Sequence, residues 1–240
     1  MKSIKFYAAT VTVFALALLL ANAPVVAQQL RGNGNLKTVS RDVSGFKGID
    51  VSGGFNVEIT QGLKEGVRLE AEENLLDNIK TEVKNGVLHI YNDKSLNSTK
   101  SMKAYITVKE LNKIAISGGV KVTGNGTFKS DRFDLNMSGG SAVTLAVDAN
   151  QLVADMSGAS KVELTGRADV LNMDMSGASK VEAADLVAKR VKIEASGASK
   201  VKVYAKEALD INASGASVVY YKGSPSISSD VSAAAKISKM

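Results

Sequence analysis

The sequence predicts an all-β protein built as a single-stack parallel β-helix, a β-solenoid, and three observations predict it. First, Ser-Gly-Gly or Ser-Gly-Ala begins at Ser117, Ser138, Ser157, Ser176, Ser196 and Ser214, with steps of 21, 19, 19, 20 and 18 residues, and an earlier copy begins at Ser52. A regular spacing of about 20 residues marks a stacked repeat in which each rung leans on its neighbours. Second, in the five rungs from Ser138 to Ser214 the residues five, three and one before the serine are apolar, as in Leu171, Met173 and Met175 or Val191, Ile193 and Ala195, with mostly polar residues between them. That is the period-two alternation of a strand, not the spacing of a helix. Third, glycine follows the serine each time, and glycine takes a positive φ at a sharp corner without a Cβ clash. Each rung of 18–21 residues therefore reads as strand, corner, strand and a variable return segment.

The elements follow in chain order. Lys2 and Lys5 precede an apolar run from Ala8 to Leu20, and Val25-Val26-Ala27 offers small residues before Gln28. Residues 1–27 thus read as a cleaved signal peptide. The alternative is a membrane anchor, which needs about 20 apolar residues, and this run is shorter. The chain is expected to be exported, with no transmembrane span after signal cleavage, to the periplasm, the outer cell surface or the extracellular space. Residues 28–44 read as a flexible lead. Residues 45–225 read as one solenoid domain, irregular over 45–110 and regular over 111–222. Within the irregular part, Phe46 to Ile59 resembles a first rung, and Asn85-Gly86 between two apolar strands is a hairpin signal. That hairpin region is expected to cover or widen the end of the stack. Residues 226–240, rich in Ser and Ala, read as a tail.

Composition narrows the function. The chain has no cysteine, so neither a disulfide framework nor lipid attachment at cysteine is open to it. Loss of residues 1–27 removes two lysines and no acid, leaving 28 basic against 24 acidic residues. That mild excess is spread along the chain without dense basic clusters or stacking platforms, which argues against nucleic acid as a partner.

Several stretches carry a family resemblance. They are Phe46-Lys47-Gly48-Ile49-Asp50-Val51-Ser52-Gly53, Glu72-Glu73-Asn74-Leu75-Leu76-Asp77-Asn78-Ile79, Asn85 to Ile90, Ala104 to Val108 with Leu111 to Ile114, and the Ser-Gly-Ala-Ser rungs. Together they resemble the head GIN domain, the auto-transporter adhesin head of exported proteins from Gram-negative bacteria, over roughly residues 45–225. The resemblance implies a β-helix-like fold and an envelope or extracellular setting. It supplies no catalytic residues.

The candidate chemistry lies in repeated positions. Asp155, Asp174 and Glu194 share one rung position, and stacking would set their carboxylates about 5 Å apart, the separation used by retaining glycosidases. Asn136 and Asn212 flank them in the same position, which favours a solvated polar ladder. The same ladder could hold calcium, but the chain has no compact Asp-rich loop. Lys161, Lys180 and Lys200 form a second ladder, offset by Glu163 and Glu182 two residues on. It reads as an electrostatic strip for anionic glycans or as a charge-balanced sheet. Ser157, Ser160, Ser176, Ser179, Ser196 and Ser199 read as hydroxyl ladders at corners, because a nucleophile needs a base and the sole histidine, His89, is distant in sequence. The expected function is therefore a non-enzymatic, exported envelope or surface protein that binds through ladder-patterned faces. A structural or stress-sensing envelope role is the alternative, and a polysaccharide-cleaving β-helix enzyme comes third. No catalytic residue, metal site or cofactor is expected. The expected partners are a surface glycan or an envelope protein, and open rung ends also allow end-to-end self-association.

Overall fold

The computed structural model describes residues 29–232 and 234–240, so the expected signal peptide lies outside the described residues. The described chain is nearly all strand and forms a solenoid of about 7 turns. Its front part comprises β1 (Leu30–Arg31), β2 (Leu36–Arg41), β3 (Gly48–Ser52), β4 (Phe55–Gln61), β5 (Gly66–Glu72), a 3-10 helix (Glu73–Asn78), β6 (Ile79–Lys84), β7 (Val87–Asn92), β8 (Leu96–Asn97), β9 (Met102–Val108) and β10 (Lys113–Ser117). The rungs that follow are long strands bent at their corners: β11 (Lys121–Met137), β12 (Ala142–Gly158), β13 (Lys161–Gly177), β14 (Lys180–Gly197) and β15 (Lys200–Ala213). β16 (Val218–Lys222), β17 (Ser226–Val231) and β18 (Lys236–Lys239) complete the chain.

Two parallel faces meet at the Ser-Gly corners. The strand segments before the corner stack as one face, from β7 and β3 through β10 to β17. Those after the corner stack as the second face, from β9 and β4 through β11 to β18. The alternation read from the sequence is the inside-out pattern of the first face. Phe133, Leu152, Leu171, Val191 and Leu209 pair in register and are all buried, as are Met137, Met156, Met175, Ala195 and Ala213. Each apolar side chain thus sits between equivalents on the rungs above and below, and the core is a set of aliphatic ladders.

The corner glycines set how closely rungs approach. Gly177 has φ +107°, and a Cβ there would lie 2.5 Å from the carbonyl oxygen of Gly158 on the rung below. That carbonyl accepts the Ala178 N–H at 2.9 Å, so the corners are hydrogen-bonded to one another as well as stacked.

At the front, spatial order departs from chain order. The turn formed by β3 and β4 lies between the β7–β9 turn and the β10–β11 turn. Antiparallel strands then close the stack: β6 on β7, and β5 on β9 with β2 outside it. The hairpin joining β6 and β7 turns at Asn85 (φ 51°) and Gly86 (φ 72°), both left-handed as this two-residue connection demands. Residues 30–31 and 36–41, in the segment read as a flexible lead, form β1 and β2, which pair with β8 and β5. Residues 226–240, read as a tail, contribute β17 and β18, which continue both faces in register. Their sequence keeps the period without the glycine: Ser232-Ala-Ala-Ala-Lys236-Ile237 stands 18 residues after Ser214.

Candidate functional site: two charged rows flanking the corner

The register brings each predicted ladder together. On the second face, Lys161, Lys180 and Lys200 pair directly and all three are exposed. The row is longer than the sequence reading found. It runs Lys121, Ala142, Lys161, Lys180, Lys200, Val218 and Lys236. Lys121 and Lys236 had a legible signal, since each lies four residues after its corner serine, as Lys161 does.

The neighbouring outward row on this face carries Thr144, Glu163, Glu182, Lys202 and Tyr220. Glu182 sits between two ammonium groups, Lys180 at 3.1 Å and Lys202 at 3.0 Å. Burial works to raise its carboxyl, and Lys202 and Lys180 outweigh that, holding it below the usual carboxylate range. Lys200 Nζ lies 5.5 Å from the centre of the Tyr220 ring, within cation–π reach. Among the described residues Lys121 and Lys161 form no ion pair, so the row retains uncompensated charge.

On the first face the acidic row runs Asp50, Ala115, Asn136, Asp155, Asp174, Glu194, Asn212 and Asp230. Glu194 pairs with Lys192 at 2.7 Å, while Asp155 and Asp174 stand side by side with no ion pair among the described residues. At the front end of the same row, His89 Nδ1 is 3.4 Å from Asp50 Oδ2. An open groove of ≈ 520 Å³ follows the row beside the corner serines, and no aromatic side chain lines it. No cluster of three or more His, Cys, Asp or Glu placed to hold a metal ion occurs among the described residues.

The six serines, read as hydroxyl ladders at the corners, divide into two sets, one exposed and one buried. Ser157, Ser176 and Ser196 pair in register and are exposed. Ser160, Ser179 and Ser199 are buried. Their position inside the corner suits a hydroxyl that can return a hydrogen bond to the backbone: Ser160 Oγ donates to the Ser157 carbonyl at 3.4 Å, and Ser199 Oγ to that of Gly177 at 3.5 Å.

A second groove, ≈ 750 Å³, crosses the return segments over Val147, Ala149, Ala168 and Val187. Four of its charges are paired within the chain: Arg167 grips Asp148 through Nε at 2.7 Å and Nη2 at 2.8 Å, and Lys189 reaches Asp169 at 2.8 Å, while Lys206 forms no ion pair among the described residues.

One buried carboxylate escaped the sequence reading. Glu72, at the end of β5, is fully buried and accepts hydrogen bonds from Ser98 Oγ (2.6 Å), Thr99 Oγ1 (2.7 Å), Thr99 N (2.9 Å) and Gly34 N (2.6 Å). The Ser98 hydroxyl leads in lowering its pKa to about 2, against the opposing effect of desolvation and with help from Thr99 and the backbone donors. It clasps the segment before β2 and the loop before β9 onto the front of the stack.

Comparison with known proteins gives a consistent setting. A family described as "Putative auto-transporter adhesin, head GIN domain" matches residues 45–225. A crystal structure of a "putative adhesin" from Bacteroides fragilis is 26% identical, with a TM-score of 0.83 over 88% of this chain and 100% of that one. A "putative lipid binding protein" from Parabacteroides distasonis is 24% identical, with a TM-score of 0.73 over 89% and 100% of the two chains. A "putative adhesin" from Parabacteroides merdae is 16% identical, with the same TM-score and coverage. The latter two likenesses establish the fold alone. No curated protein matches the sequence. No helix among the described residues is long and apolar enough to cross a membrane.

Proposed function

From the premise that this chain belongs to the head GIN domain family of auto-transporter adhesin heads, we propose that it is an exported, non-enzymatic surface-binding module. Its second face engages an extended anionic polymer, such as an acidic glycan of a cell surface. The observation that carries this reading is the lysine row: Lys121, Lys161, Lys180, Lys200 and Lys236 occupy one outward position. Neighbouring rungs lie about 4.8 Å apart, so Lys161, Lys180 and Lys200 recur at that interval, while Lys121 and Lys236 stand one rung further off across Ala142 and Val218. One exposed charge contact contributes little, about 1 kcal/mol or less, but linked contacts on a rigid row add through effective concentration.

The test is binding of polygalacturonate and of heparin at two salt concentrations. Changing Lys161, Lys180 and Lys200 together to Gln should weaken binding and flatten its salt dependence, because screening acts on the charges removed. Unchanged affinity and slope in that variant would remove the row from the mechanism.

A second reading, a structural envelope element that associates end to end, draws on the exposure of Ile227 (44%) and Val231 (38%) on β17. These occupy inward positions of the ladder, where their counterparts Leu209 and Ala213 are buried. Light scattering at the monomer mass, unchanged by concentration, would refute it.

A further inference from the structure

We propose that the Ser-Gly-Ala-Ser edge is an interface between two copies of this chain, lying side by side with solenoid axes parallel about a two-fold axis that runs along them. The occupant follows from charge complementarity at equal period. On each rung the acidic position and the lysine position flank the same corner: Asp155 and Lys161, Asp174 and Lys180, Glu194 and Lys200. Between them on the outside stand only small exposed residues, such as Ser157, Gly158 and Ala159.

When two such edges meet with parallel axes, the two-fold sets the acidic row of each copy beside the lysine row of the other. The pairs fall on the same rung without an axial shift, since both rows repeat with the rung. The long lysine stems span the wedge between diverging faces, and the small corner residues let the edges approach. Reversing one axis instead sets acid against acid and lysine against lysine, which like-charge repulsion disfavours. Within the chain, Asp155, Asp174 and Lys161 have no ion-pair partner among the described residues, so these charges are available to a second copy.

The interface and the polymer draw on the same lysine row, so a row engaged by a second copy is closed to polymer, but the test of the interface needs no polymer. Sedimentation equilibrium of the exported chain at low salt should show a dimer that dissociates as salt rises. Changing Lys161, Lys180 and Lys200 to Glu makes both flanks acidic, and changing Asp155, Asp174 and Glu194 to Lys makes both basic. Each variant alone should raise the dimer dissociation constant by about tenfold or more, and their mixture should restore a heterodimer.

The absence of native cysteine allows a check of orientation. Ala159→Cys and Ala198→Cys, tested separately, should each oxidise to a disulfide-linked dimer, since parallel axes bring each position to its own counterpart. A wild-type chain that stays monomeric at low salt overturns the proposal. So do charge variants that dimerise as well as the parent, or cross-linking at only one of the two cysteines. A chain that binds polyanion yet never dimerises overturns this inference and leaves the polymer reading intact. Dimerisation without polyanion binding does the reverse.

Discussion

The contribution of the corner glycines can be isolated with a matched pair of substitutions. Gly177 and Gly126 have nearly the same φ, +107° and +102°. Their surroundings differ. A Cβ on Gly126 meets nothing within 4 Å, whereas one on Gly177 lies 2.5 Å from Gly158 O and 3.1 Å from Gly158 N. Gly126→Ala therefore carries only the conformational cost of an L-residue at positive φ, about 1–2 kcal/mol. Gly177→Ala carries that cost and must also push the rungs apart at the corner. The atom it strikes accepts the Ala178 N–H, so separation weakens that hydrogen bond, worth about 1 kcal/mol net. Forced overpacking adds roughly 1–3 kcal/mol. The expected losses are about 1–2 kcal/mol for Gly126→Ala and about 3–6 kcal/mol for Gly177→Ala. Urea unfolding measures both, with equal slopes confirming that the same surface is exposed. Equal midpoints for the two variants would refute the account of rung contact at the corner.

Three further substitutions probe other parts of the fold. Glu72 has its pKa lowered from 4.5 to about 2 in the folded chain, so its stabilising effect is complete above 4.5 and is lost as pH falls toward 2. The stability gap between the parent and Glu72→Gln should hold constant above pH 4.5 and close below it, a dependence that acid titration of the two unfolding midpoints would read; a gap insensitive to pH would dismiss the clasp. Leu171→Ala, in a fully buried ladder position, should cost about 2–5 kcal/mol by cavity formation. By contrast Arg167→Ala, whose side chain is 75% exposed despite its paired contact with Asp148, should cost about 1 kcal/mol or less. Thermal unfolding that ranks the two in the opposite order would contradict this assignment of core and rim.

The regular rungs were legible because their determinants are local. Positions five, three and one before Ser157, Ser176 and Ser196 face inward, and the glycine after each serine holds the corner. The lysine and acidic rows followed from the same period, since residues at one offset from successive corners must stack. Lys121 and Lys236 were missed because their corners vary, Gly118-Gly119-Val120 in one case and an alanine run in the other. β17 and β18 were obscured for the same reason: their corner keeps the spacing and lacks the glycine. The order of turns at the front had no local signal. β3 and β4 take all their neighbours, β7, β10, β9 and β11, from chain segments beyond β5 and β6, and such pairings depend on long-range hydrogen bonding that no period announces. Glu72 was hidden for a related reason, since its donors come from Gly34, Ser98 and Thr99, far away in sequence.

The repeat also constrains what the lysine row can recognise. Glu163 and Glu182 stand in the adjacent outward row on the same rungs as Lys161 and Lys180, and Glu182 already draws in Lys180 and Lys202. An undifferentiated polyanion lying across the whole face would meet those carboxylates and be repelled. A narrow chain running along the axis meets no carboxylate in this row, only lysines and the uncharged Ala142 and Val218. On the proposed function, specificity on this face would arise from where charge is placed, with the glutamates excluding broad anionic partners and the lysines retaining a threaded one. A face whose lysine charge were simply balanced on every rung would pair each lysine with a carboxylate. The described residues instead leave Lys121 and Lys161 without an ion pair, on the side of the corner that the small residues keep open.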